Sequence, residues 1–96
     1  MTDTTIKETR SAARGRYVLA DADGDSELTY RLDGDRMIID STYTPPASRG
    51  RGIAGRLVER AVADARARNW RIVPVCPYVR VKIERTPAMQ DVLADT

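Results

Sequence analysis

Thr44-Pro-Pro-Ala-Ser-Arg-Gly-Arg-Gly-Ile-Ala-Gly-Arg-Leu-Val58 is the stretch whose reading decides the fold. Its first half cannot continue a strand. Pro45 and Pro46 lack backbone N–H groups, and Gly50 and Gly52 admit backbone angles that other residues avoid. From Ile53 the pattern changes. Ile53, Leu57, Val58, Ala61, Val62 and Ala65 recur at helical spacing and make one apolar stripe. Arg60, Asp64 and Arg68 stand four apart on another side, the spacing of helical ion pairs. Asn69 suits the left-handed residue that closes a helix. A loop therefore opens an amphipathic helix.

Upstream, the pattern has a period of two. Residues 16–20, Arg-Tyr-Val-Leu-Ala, read as a strand, and Asp23-Gly24 is a hairpin signal. In residues 27–32, Leu28, Tyr30 and Leu32 share one face and Glu27, Thr29 and Arg31 the other. Asp33-Gly34 is a second hairpin signal, and residues 36–43 form a third strand. These three strands make an antiparallel meander. Residues 6–15 fit either a short strand or an irregular arm, and residues 1–5 are polar and expected to fray. Downstream, residues 71–76 read as a short apolar strand, residues 78–85 as a second helix stopped before Pro87, and residues 88–94 as a terminal helical turn.

The expected order is β-β-β-α-β-α, an α/β (α+β) chain in which a meander is followed by a β-α-β crossover and a C-terminal helix. The strands flanking the first helix end near Tyr43, Thr44 and Cys76. Open α/β sheets bind ligands at such ends.

Composition narrows the chemistry. The 96 residues make a single domain, 42% hydrophobic and 31% charged, with four Tyr, one Trp and no Phe. The absence of His removes His-based triads, His metal sites and His acid–base chemistry. The single Cys76 rules out an intrachain disulfide and a Cys-cluster metal site. No apolar run reaches membrane-spanning length and the start is no signal peptide, so a cytoplasmic location is expected. Residues 1–40 carry a net charge of −3 and residues 41–96 carry +5, which points to an anionic partner met by the second half.

The loop supplies the means. Backbone N–H groups at a helix start are unpaired and sit at the positive end of the helix dipole. With glycines that allow close approach, Gly50, Gly52, Ile53, Ala54 and Gly55 read as a pyrophosphate cradle, to which Arg49, Arg51 and Arg56 add charge; the alternative is a Gly-rich loop that only turns the chain. Without a Gly-Lys-Ser/Thr there is no Walker A site, and the glycine spacing does not fit a dinucleotide fingerprint. Asp21-Ala-Asp-Gly-Asp-Ser-Glu27 fails as a calcium loop because its Gly comes too early and Leu32 stands at the twelfth position. A single Arg-Gly-Arg-Gly without stacking aromatics is a weak nucleic-acid signal and leaves an RNA-binding module as a distant alternative.

Arg49 to Ala54, read as Arg-x-x-Gly-x-Ala, resembles motif A of the GNAT acetyltransferase superfamily. The wider set of Thr42-Tyr-Thr-Pro-Pro, Arg49-Gly-Arg-Gly-Ile-Ala54, Leu57-Val58 and Val73-Pro-Val-Cys-Pro-Tyr78 is similar to its small, single-domain YjdJ-type branch. The resemblance implies a minimal GNAT-like fold that binds acetyl-CoA. Pyrophosphate would lie on the amides around Arg51 to Arg56, with the pantetheine arm along the third meander strand near Tyr43 and Thr44. It also implies that the strands ending at Tyr43 and Cys76 splay apart. Pro74, which removes one ladder hydrogen bond, fits that picture.

On that resemblance, Cys76 lies near the thioester and is either a nucleophile that accepts acetyl or a small buried side chain. Tyr78 is either the proton donor to the leaving thiolate or a packing aromatic. Asp40 is a base if it faces the cleft. Ser41, Lys82 and Thr86 stand where the branch commonly carries His, Tyr and His. The implied activity is N-acetyl transfer to an amine, on a small molecule or a protein. The alternative is a non-catalytic acyl-CoA-binding or sensing module. The chain lacks the helices that cover the acceptor side in larger relatives, and a monomer or weak dimer is expected.

Overall fold

The computed structural model describes residues 6–94. The fraying expected at residues 1–5 lies outside them. Five strands form one sheet in sequential order: β1 (Ile6–Ser11), β2 (Arg14–Leu19), β3 (Ser26–Asp33), β4 (Arg36–Tyr43) and β5 (Arg71–Pro74). β1 to β4 are antiparallel, and β5 runs parallel to β4. The crossover between them holds helix α1 (Ile53–Arg68), and helix α2 (Pro77–Glu84) follows β5. The mixed α/β meander, crossover and C-terminal helix are as expected from the sequence.

Three local readings need correction. The first is the element order: of the two readings of residues 6–15 the strand holds, with the start of another after it, so the order is β-β-β-β-α-β-α rather than β-β-β-α-β-α. Their core-facing positions carry Glu8 and Arg10, which hides the alternation. Second, β5 ends at Pro74 rather than Cys76, because Cys76 caps α2 and Pro77 begins it. Third, the terminal turn is the 3-10 segment Pro87–Val92, after which Leu93 bridges Ile72.

The core lies between one face of the sheet and both helices. Tyr17, Leu28, Tyr30, Met37 and Ile39 from the strands meet Leu57, Val58 and Ala61 of α1 and Val79 and Ile83 of α2. Gly15, directly opposite Tyr30, is what lets the Tyr30 ring lie flat over β2; a Cβ there would stand 2.3 Å from Tyr30 Cζ. α1 ends as its sequence suggests, with Asn69 left-handed at φ 58° and the Trp70 N–H donating to the Ala65 carbonyl at 2.8 Å. The other sheet face carries exposed Lys7, Thr9, Arg14, Arg16 and Arg31.

Glu8 explains why β1 packs despite its polar inner face. It accepts two hydrogen bonds from Arg68, both at 2.8 Å, and one from the Tyr30 hydroxyl at 2.6 Å. The Arg68 hydrogen bonds first, then the Tyr30 bond, outweigh burial and hold the Glu8 carboxyl at about 2, against an ordinary value of 4.5. Nearby, Tyr17 donates to Asp64 at 2.7 Å, and Asp64 also pairs with Arg60 at 3.1 Å. Burial and then the Asp64 bond push the Tyr17 hydroxyl well above its ordinary range.

A depressed carboxylate contributes stability that is complete above its unfolded value. That contribution is lost as pH falls from 4.5 through about 2. Glu8→Gln is therefore expected to cost about 2 kcal/mol at neutral pH. In thermal melts the gap between wild type and variant should narrow steadily below pH 4.5. A gap that stays constant with pH would contradict this role.

Candidate active site

The site grows from the way β4 and β5 part. Their parallel pairing stops at Ile39 and Pro74, and the Cys76 N–H makes the last link, to the Ile39 carbonyl at 3.0 Å. β4 runs on to Tyr43 paired only with β3. Pro74 brings no N–H and Pro77 turns the chain into α2, so the two strands cannot rejoin. β4 also carries a bulge against β3 at this level: Tyr30 pairs with Ile39 and Thr29 with Ser41, leaving Asp40 as the extra residue.

Beyond the parting lies a groove of about 540 Å³, lined by residues including Thr42, Tyr43 and Thr44 of β4 and the loop after it, Gly52 and Ala54 at the start of α1, and Tyr78 of α2. Tyr43 and Tyr78 stand exposed at its rim. Gly52 stands as the cap residue before α1, left-handed at φ 75°, and no side chain caps the first turn. No acidic residue occupies that turn either. The first backbone N–H to find an acceptor in this helix is that of Arg56, which donates to the Gly52 carbonyl at 3.1 Å. A Cβ added at Gly50 or Gly52 would meet nothing within 4 Å. This is an open cradle of backbone donors at the positive end of a helix, with the chemistry to receive a pyrophosphate.

The structure brings most of the sequence-derived binding residues together. Tyr43, Thr44, Arg49, Gly50, Gly52, Ile53 and Ala54 line the groove, and Tyr78 joins them from α2. Others lie elsewhere. Arg51 turns to the β2–β3 hairpin, 3.6 Å from Asp21 and 3.4 Å from Asp23. Gly55 is buried where α1 meets α2, and a Cβ there would stand 3.5 Å from Lys82 Nζ and 3.7 Å from the Tyr78 hydroxyl. Arg56 is exposed on the first turn of α1 and outside the groove lining. Cys76 is 6% exposed, belongs to the core and stands behind Thr42, with Sγ 3.7 Å from the Thr42 hydroxyl.

The polar groups weighed for proton transfer have other partners. Asp40 faces Arg31 at 3.7 Å and does not line the groove. The Ser41 and Thr29 hydroxyls lie 2.9 Å apart, and the Thr86 hydroxyl donates to the Lys82 carbonyl at 2.7 Å. Sequence reasoning did not single out Ser48. It is fully buried beneath the loop and donates to Asp21 at 3.2 Å, yet nothing in its local pattern marks it.

A parallel strand pair that parts beside an uncapped helix start is the geometry at the centre of this mixed α/β fold, and comparison with known proteins gives its family. The chain belongs to the GCN5-related N-acetyltransferase family, whose model matches residues 16–92. Its fold is similar to the NMR solution structure of a GCN5-like protein from Staphylococcus aureus, named as a candidate N-acetyltransferase. The two share 21% identity over 98% of this chain and 93% of that one, with a TM-score of 0.69. No curated protein matches this chain.

Proposed function

We propose that this chain is an acetyl-CoA-dependent N-acetyltransferase acting on an amine. The observation that carries this reading is the parting of β4 from β5 directly beside the uncapped start of α1. The residues fit the cofactor by geometry. The amides of Ile53, Ala54 and Gly55 suit its pyrophosphate, with Arg49 close by, and the β4 segment ending at Tyr43 and Thr44 suits the pantetheine arm. Bound there, acetyl-CoA supplies an activated acetyl thioester. Backbone donors on β4 beyond its pairing with β5 suit the oxyanion that forms at the carbonyl. Tyr78, at the groove wall, holds a proton for the departing thiolate.

The burial of Cys76 favours direct attack by the amine over a covalent acetyl-enzyme. Cys76→Ala is then expected to keep most of the turnover and to lose roughly 1 kcal/mol of stability through the small void. Loss of turnover in a folded Cys76→Ala protein, or an acetyl mass on Cys76 before amine is added, would overturn direct transfer.

A second reading, a non-catalytic acyl-CoA-binding or sensing module, is favoured by one observation. Among the described residues lining the groove there is no carboxylate to take the amine's proton, only the phenols of Tyr43 and Tyr78 beside Arg49 and small hydroxyls. Thiol release from acetyl-CoA, measured against panels of small amines and peptides, separates the two. Amine-dependent release supports the transferase. Binding without release under every acceptor supports the module.

A further inference from the structure

The acidic hairpin that fails as a calcium loop has a different task. Residues 44–52 are held from within by one 3-10 turn, Pro46–Ser48: the Ser48 N–H donates to the Pro45 carbonyl at 2.9 Å, the Arg49 N–H to the Pro46 carbonyl at 3.3 Å, and Arg49 Nε to the Thr44 carbonyl at 3.0 Å. Gly50 and Gly52 have positive φ and no side chain to anchor them. What fixes the loop is the turn between β2 and β3. Pro45 lies against it, so close that a Cβ on Gly24 would stand 3.2 Å from Pro45 Cγ. At the centre is the Asp21 carboxylate. One oxygen accepts the Asp23 N–H at 3.2 Å. The other accepts the buried Ser48 hydroxyl at 3.2 Å and faces Arg51 at 3.6 Å. The Asp21 carbonyl accepts the Gly24 N–H at 3.0 Å, which closes the turn.

We propose that Asp21 is a positioning residue for the anion cradle. Through Ser48 and Arg51 it ties the glycine loop to the β2–β3 hairpin, so the cradle is ordered before a ligand arrives. Two features separate this from ordinary surface pairing. Ser48 is fully buried, so its hydroxyl depends on Asp21 in place of water. Arg51 also spans Asp21 and Asp23, which offsets two carboxylates next to a site meant for phosphate. The Asp23 N–H foremost, then the Ser48 hydroxyl and the Arg51 charge, hold the Asp21 carboxyl below its ordinary range. Without the clamp, the ordering cost of the loop falls on the binding step instead of on folding.

This inference rests on CoA occupying the groove, and its test keeps the two apart. CoA is titrated into wild type, Asp21→Ala, Asp21→Asn, Ser48→Ala and the Asp21→Ala/Ser48→Ala double variant, each checked for fold by circular dichroism. Asp21→Ala and Ser48→Ala should each weaken CoA about tenfold, and the double variant no more than either alone. Asn at position 21 still accepts the Asp23 N–H and can donate to the Ser48 hydroxyl. It loses the charge that faces Arg51 and the acceptor for the Ser48 hydroxyl, so Asp21→Asn should bind between wild type and Asp21→Ala. With an acceptor amine present, Asp21→Ala should raise KM for acetyl-CoA and leave kcat unchanged. Wild-type affinity in folded Asp21→Ala would overturn the clamp, as would additive losses in the double variant or an Asp21→Asn as weak as Asp21→Ala. If Asp21→Ala fails to fold, Ser48→Ala carries the same comparison. A wild type that binds no CoA would instead overturn the groove assignment itself.

Discussion

Gly52→Asp is expected to leave the chain folded and to weaken CoA binding by roughly 100-fold or more, on the order of 3 kcal/mol. The fold should survive because a Cβ at Gly52 meets nothing within 4 Å. The backbone cost of φ 75° is small for Asp, which tolerates left-handed angles better than most residues. Binding should not survive, because a carboxylate at the helix start caps the amides and repels the pyrophosphate they are meant to receive. Gly52→Asn separates the two causes, since it has the same shape without the charge. Calorimetric titration should place Gly52→Asn between wild type and Gly52→Asp. Wild-type affinity in a folded Gly52→Asp protein would remove the glycine loop from the site.

Gly15→Ala is expected to have the largest effect on stability, a loss of about 3 kcal/mol. Overpacking contributes about 1–3 kcal/mol, and the displaced Tyr30–Glu8 hydrogen bond, made to a charged group, adds to it. For a domain of this size the melting temperature should fall by roughly 15 °C. The neighbour cannot give way cheaply, because the Tyr30 ring is buried and its hydroxyl is held 2.6 Å from Glu8. Tyr30→Leu removes the obstacle. Gly15→Ala should then cost much less in a Tyr30→Leu background, a coupling that thermal melts of the four proteins will read. Equal cost in both backgrounds would mean that Gly15 is needed for another reason.

Legibility in the sequence followed the strength of local signals. The α1 stripe from Ile53 to Ala65 and the hairpin turns at Gly24 and Gly34 rest on periodicity and backbone chemistry, and they stand where the pattern puts them. β1 was ambiguous because its inner face spends Glu8 and Arg10 where alternation expects apolar residues. The partner that makes this possible, Arg68, lies 60 residues away. The glycine loop was readable as an anion cradle because glycine, strand and helix come in order along the chain. The destinations of the side chains around it were not. Arg51 looks free in the sequence, but the carboxylates that claim it sit on a hairpin far upstream. Cys76 looks like the end of a strand at a cleft, but the turn at Pro77 carries it into the core behind Thr42.

The central claim is that the start of α1 and the parted end of β4 together receive CoA. Amide chemical-shift mapping of the wild-type chain during CoA titration tests it most directly. The largest shifts should fall on Gly50, Gly52, Ile53, Ala54 and Gly55, with a second group at Tyr43, Thr44 and Tyr78, and they should saturate together. Shifts centred on the open sheet face at Arg14, Arg16 and Thr29, or no saturable shifts at all, would contradict it.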